Sequence, residues 1–268
     1  MGATYSEPVT FDDWLAHFRA NPTRQLELEN SIEWDAPAKV TGPTRRAFIR
    51  SFQRFELGED GDGEHLLRKA TRAGDSAYLA SLSLLVQEEQ KHSELFRRGL
   101  ARLHAPRLEA HWSDAVFTGL RRMLGLRTEL ALFLVAETVA MGYFTALADR
   151  APDPVLRGIG QRIATDEQDH IRFHIDRLRH GFRCTFRIGR LIIGLSWGVI
   201  AAGAALVIVV DHGPALRACG LSRTRYWCEA MREFHRVARS VLVTPEAEPL
   251  GPLMKDTERL RRGAVQRT

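Results

Sequence analysis

Cysteine is scarce in this chain. Cys184, Cys219 and Cys228 are odd in number and no C-x-x-C occurs. That pattern excludes a paired disulfide framework and a rubredoxin-like iron module. Lysine is nearly absent as well. Only Lys39, Lys69, Lys91 and Lys255 are lysine among 38 basic residues; the rest are arginine. No segment joins dense basic residues to interleaved aromatics, so no nucleic-acid face is expected. The formal charge of +5 is then a mildly basic surface, which speaks to solubility and non-specific association. The opening residues MGATYSEPVTFDDW lack the basic and apolar regions of a signal peptide, and a cytoplasmic protein is expected. Strand signals are few, whereas long segments of helical period are many.

What is present is one long domain's worth of amphipathic helix. The 268 residues are 44% hydrophobic and 26% charged, ordinary for a soluble globular chain with a sizeable core. The expected fold is all-α. The chain divides into an N-terminal extension over 1–42, a helical bundle with extra C-terminal helices over 43–242, and a loose polar tail over 243–268. A short helix is expected near 10–20, ending before Pro22. A helix from Thr44 meets the segment GEDGDG at 58–63, whose glycines interrupt it, and HLLRKATR resumes the pattern. Further helices are expected over about 76–104, 109–123, 126–150, 154–181, 184–210 and 222–241.

The run from Leu191 to Val210 is 20 residues without a charge. Such a run is long enough to span a bilayer. A helix buried on all sides in a bundle has the same composition. Only one such segment stands out, so the expectation is a buried bundle helix, with membrane association the disfavoured reading.

Two short stretches repeat. Residues 88–92 read EEQKH and residues 166–170 read DEQDH. Each contains Glu-x-x-His, which places a carboxylate and an imidazole on one helical face. Glu89 and Glu167 are 78 apart (167 − 89), and Glu59 and Glu137 are also 78 apart (137 − 59). Each lone glutamate therefore precedes its Glu-x-x-His by the same spacing. The midpoint of 59 and 89 is Gly74, and that of 137 and 167 is Pro152; both lie in turn-like segments. In two antiparallel hairpins each pair would face at one height, roughly 22 Å from its turn. Two such hairpins bring Glu59, Glu89, His92, Glu137, Glu167 and His170 to one level. Two divalent cations would offset four carboxylates that otherwise repel in a core. Glu56, one turn before Glu59, is an alternative first ligand. His174, one turn after His170, is a candidate seventh ligand or pocket group. Glu88 and Asp166 precede the two ligand glutamates and can accept from ligating histidines.

On these residues the stretch 44–182 resembles the ferritin-like di-iron carboxylate superfamily, closer to its oxygenase and desaturase branches than to storage ferritin. The resemblance implies a four-helix bundle holding two iron ions, or one iron and one manganese. It implies activation of O2 to oxidise an organic, apolar substrate, with electrons from a separate reductase. The six ligands would then be the catalytic residues. Mixed oxygen and nitrogen donors without sulfur suit iron or manganese. Leu85, Phe96, Phe133, Met141 and Ile163 would form a dry lining. No tyrosine falls one turn from a ligand, which disfavours a stable tyrosyl radical. Iron handling by a ferroxidase and a non-catalytic binding protein are the alternatives. A homodimer is compatible with all three.

Overall fold

The computed structural model describes residues 10–112, 119 and 125–243. The described residues form nine helices and no strand. These are α1 (Phe11–Asn30), α2 (Gly42–Glu59), α3 (Glu64–Thr71), α4 (Ser76–Arg102), α5 (Leu126–Arg150), α6 (Pro154–Phe182), α7 (Arg187–Asp211), α8 (Gly213–Ala218) and α9 (Arg223–Leu242). The fold is an all-α helical bundle. The expected helix over 109–123 and the tail from 244 lie largely or wholly outside the described residues.

Two hairpins make the frame. α2 and α3 lead to α4 through the turn at Gly74, and α5 leads to α6 through Pro152. α2 packs along α4, α5 packs along α6, and α4 meets α6 between the hairpins. Local chemistry fixes the ends. Asp75 caps α4 by accepting from Tyr78 N (2.9 Å), and Asp153 caps α6 by accepting from Val155 N (3.0 Å) and Leu156 N (3.3 Å). These bonds satisfy amide groups that the first helical turn leaves unpaired. Pro154 begins α6, where its missing N–H costs nothing. Gly160 allows α5 and α6 to close near their turn, because a Cβ there would lie 2.6 Å from the backbone nitrogen of Ala148.

The break inside the first hairpin falls at 60–63, so Glu59 is the last residue of α2. Gly63 sits at φ +66 against Val86, with no room for a Cβ. The second hairpin has no such break, and Glu137 lies mid-helix in α5.

Two sequence expectations need correction. The first helix does not stop near residue 20 but continues through Pro22 to Asn30. Its start is a capping box, with Thr10 N donating to Asp13 Oδ2 (2.8 Å) and Asp13 N donating to Thr10 Oγ1 (3.2 Å). It continues because its inner stripe, Trp14, Phe18, Asn21 and Gln25, is buried against α4 and α6. Tertiary packing outweighs the one hydrogen bond that proline removes.

The apolar segment 191–210 is not buried on all sides either. Only Trp197, Ala201, Ala205 and Ile208 of α7 are buried, where it packs on α5 and α9. The opposite face is open. α5 has the same length and is also apolar enough to pass for a membrane span, though less so than α7, but it is mostly buried and is the core helix.

Candidate metal centre

Five of the six expected ligands converge. Ligand atoms of Glu59, Glu89 and His92 lie within 4.8 Å of one another, and so do those of Glu89, Glu167 and His170. Glu89 belongs to both groups and stands between them. His92 and His170, in α4 and α6, have ring centroids 5.6 Å apart.

The orientation of the two imidazoles decides which atoms face inward. His92 Nε2 lies 3.1 Å from Asp166 Oδ2, and His170 Nε2 lies 2.9 Å from Glu88 Oε2. The pairing is crossed: each hairpin's acid holds the other hairpin's histidine. With Nε2–H donated outward, Nδ1 of each neutral ring presents its lone pair inward. His170 Nδ1 lies 2.8 Å from Glu89 Oε1. His92 Nδ1 lies 3.5 Å from both Glu89 Oε2 and Glu167 Oε1. Both Nδ1 atoms, Glu167 Oε2 and Glu137 Oε2 are buried without a hydrogen-bond partner. Unpartnered buried polar atoms are uncommon and costly, and cations held by the two groups would satisfy the Nδ1 atoms and Glu167 Oε2, though not Glu137 Oε2.

Glu137 is buried but stands outside both groups. Its Oε1 lies 3.1 Å from His174 Nε2, and its charge still reaches Glu167. His174 stacks on Phe133, with centroids 6.2 Å apart. The two halves of the site thus differ at the lone glutamate: Glu59 reaches the shared Glu89, whereas Glu137 is held by a third histidine. Glu56 points elsewhere. It is buried and paired with Arg97 Nε (3.3 Å) and Arg107 Nε (2.6 Å), so its charge is already matched.

A layer of partners encloses the outer acids, and the sequence reading missed it. Asn21 Nδ2 donates to Glu88 Oε1 (2.8 Å), and Gln25 Nε2 donates to Asp166 Oδ2 (3.3 Å). Arg162, fully buried, donates to Asp166 and reaches Glu29 (3.4 Å). The signal was present. Trp14, Phe18, Asn21 and Gln25 recur at spacings of 4, 3 and 4, and two amides on an apolar stripe mark buried polar partners.

The electrostatics of the chain alone show what a cation would replace. Burial, then the charges of Glu89 and Glu167, push the Glu59 carboxyl well above the usual carboxylate range. Burial and Glu89 push Glu167 up to about 7. Burial opposes ionisation of Glu89, but His170 and His92 overcome it and hold Glu89 well below the usual range. Burial likewise opposes the charged form of the histidines; the surrounding carboxylates win and hold both well above the ordinary imidazole value. Asp166 is drawn down to about 2 against its burial, by His92 and then Arg162. Without a metal, then, protons on Glu59 and the histidines balance the charge. Glu59 also ends α2, where the helix dipole disfavours an anion. Divalent cations offset all of these terms, and their binding must release protons. The donors are carboxylate oxygen and imidazole nitrogen, a set that fits iron or manganese.

The expected apolar neighbours are in place. Leu85, Phe96, Met141 and Ile163 are buried, and Phe133 packs against the same core.

No protein-family model matches this chain, and no curated protein matches it. Fold and site together define an all-α bundle with a largely buried carboxylate–histidine cluster that could hold metal.

Proposed function

We propose that this chain is a ferritin-like di-metal carboxylate oxidoreductase that uses O2 to oxidise an apolar organic substrate. One observation carries the reading. His92 and His170 are held from behind by crossed acids, and their Nδ1 atoms face Glu167 and Glu89, the carboxylate that both groups share. Protonated core carboxylates alone would not need that arrangement, whereas ligating histidines need an acceptor that fixes their tautomer.

Glu59, Glu89 and His92 would hold one metal, and Glu89, Glu167 and His170 the other. These residues would hold a reduced iron pair, whose chemistry would be to supply electrons to O2. The chain's residues do the remaining work. Glu88 and Asp166 would fix the ring orientation of His170 and His92, so that Nδ1 faces the metal once binding has displaced its proton. Glu89 bridges the two groups. Leu85, Met141 and Ile163 exclude water from the side facing α5 and α6, which prevents wasteful side reactions. Glu137, held by His174, would be a further carboxylate beside Glu167. A separate reductase would restore the electrons, since this chain has no cysteine-based electron-transfer module.

The test is elemental analysis after expression with iron, followed by O2 uptake. Anaerobically reduced protein is mixed with oxygenated buffer, beside Glu167→Ala. Rapid uptake by wild type and its loss in the variant support the proposal. Slow oxidation that ends in ferric mineral would indicate iron handling instead. Folded protein holding well under half an equivalent of metal would refute a metal site altogether.

A further inference from the structure

α7 is a 25-residue helix with one buried face and one open face. Of the eleven large apolar side chains exposed among the described residues, seven lie on it. Ile188, Ile192, Leu195, Val199, Leu206 and Val210 follow one another every three, four or seven residues, which keeps them on one side. Leu195 is 64% exposed and Val199 75%. The stripe runs about 33 Å, nearly the length of the helix. Ser196 is a hydroxyl on this side, and it bonds inside the helix to Ile192 O (3.0 Å). A soluble monomer rarely exposes an apolar surface this continuous.

The charge around the stripe selects its occupant. Residues 183–243 carry nine arginines, no lysine and three acids, Asp211, Glu229 and Glu233, a net of +6. The whole chain is formally +5, so the remainder nets −1. The positive charge of this protein is therefore gathered on α7, its entry and its neighbour α9. Arg183 and Arg187 stand exposed at the start of α7, and Arg232 and Arg239 stand exposed along α9, where Arg225 is paired with Glu229 (2.8 Å). A second copy docked through α7 would bring two such excesses together. An anionic surface meets them with opposite charge.

We infer that α7 lies in the plane of an anionic membrane surface and seats its open face among the lipid chains. The helix does not cross the bilayer, because Trp197, Ala201, Ala205 and Ile208 bind it to the bundle along its length. Apolar side chains enter the boundary between headgroups and acyl chains, as in-plane amphipathic helices do. Guanidinium groups such as those of Arg187 and Arg232 would reach phosphate while their stems cover apolar surface. The inference stands on α7 and α9 alone and is independent of the metal reading.

Flotation of the full chain with vesicles tests it. Vesicles of phosphatidylcholine alone are compared with vesicles in which part of the lipid is phosphatidylglycerol, at low and high salt. The chain should float with the anionic vesicles and less with the neutral ones, and salt should reduce the difference. Leu195→Ser/Val199→Ser should lower partitioning at least about tenfold on both kinds of vesicle. Arg187→Gln/Arg232→Gln should lower it only on the anionic ones, by about tenfold. All four positions are exposed, so an unchanged thermal melt and metal content serve as the folding control. Wild type left at the bottom of the gradient with anionic vesicles would overturn the inference. So would an α7 variant that floats like wild type. A dimer that Leu195→Ser/Val199→Ser dissociates, in a chain that binds no vesicles, would assign the face to a second copy and overturn it too.

Discussion

His170 Nε2 lies 2.9 Å from Glu88 Oε2, so the histidine of the second hairpin is held by an acid of the first. The converse bond, His92 to Asp166 at 3.1 Å, completes a crossed pair. The two Glu-x-x-His motifs are therefore not independent half-sites. Each histidine's tautomer and ring angle depend on the other hairpin being docked.

This crossing makes a specific prediction. Glu88→Gln should weaken metal binding through His170, and Asp166→Asn through His92. Each should cost about 10- to 100-fold in affinity, the range for partners that orient a metal ligand. Competitive titration with a metallochromic chelator would measure it. An unchanged affinity in both variants would show that the crossed bonds do not orient ligands. Asp166→Asn carries a further cost, since it leaves the buried Arg162 without its closest counter-charge.

The first hairpin offers two glutamates one turn apart, and their partners separate them. Glu59→Ala should lower metal occupancy by up to half, and less than Glu89→Ala, because Glu59 completes only the group around His92 whereas Glu89 serves both groups. Glu56→Ala should leave occupancy intact and lower stability by about 1–2 kcal/mol, the cost of losing a buried acceptor whose arginine partners can turn to water. Occupancy from elemental analysis and the midpoint of a urea melt distinguish them. Reversed effects would mean that the helix register around Glu56 and Glu59 has been assigned one turn off.

How much of this was legible in the sequence follows from the range of each signal. Glu-x-x-His is a contact within one turn, so its face could be read directly, and the shared 78-residue offset aligned the two halves. The hairpin turns at Gly74 and Pro152 follow from local turn chemistry. Glu56 and Glu59 could not be separated, because the residue that claims Glu56 most closely is Arg107, over fifty positions away. Proline is a local stop signal, so the sequence alone ends α1 too early, while the burial of Asn21 and Gln25 is a tertiary fact. The open face of α7 escapes the sequence for a similar reason. Twenty apolar residues declare that a helix shuns water, but not which of its sides the protein covers. The role of His174 was left open by spacing alone; its bond to Glu137 appears only once α5 and α6 are paired.

Metal removal should destabilise the fold. Apoprotein must keep protons on Glu59 and Glu167 or suffer repulsion around Glu89. Ligand linkage gives about 2.7 kcal/mol at a hundredfold excess over Kd. A thermal melt with and without a strong chelator, at neutral pH, should show a clear loss of Tm in wild type. Glu89→Ala/Glu167→Ala should show no further loss on chelation. If wild type and this variant respond alike, the chelator acts elsewhere.

A second buried network, away from the metal cluster, sets an acid limit. Ser51 Oγ donates to Tyr143 Oη (2.6 Å) and lies 2.7 Å from His212 Nδ1. Phe55 packs on the His212 ring with centroids 4.4 Å apart. Burial, then the nearby Arg54 and His111, draw His212 down to about 3, while in the unfolded chain it returns to roughly 6.5. Between these values the unfolded state binds the extra proton, so stability rises with pH. The contribution is complete above about 6.5 and is lost as pH falls toward about 3, on the order of a few kcal/mol in all. His212→Asn keeps a hydrogen-bonding group for Ser51 but cannot titrate. It should be less stable than wild type at pH near 7, through poorer packing on Phe55 and Tyr143. Its stability should fall less steeply on going to about pH 5. Urea midpoints of metal-loaded wild type and variant at the two pH values give the comparison, since the carboxylates of the metal site titrate equally in both. Parallel slopes would mean that His212 accepts its proton without unfolding the region around Ser51 and Tyr143.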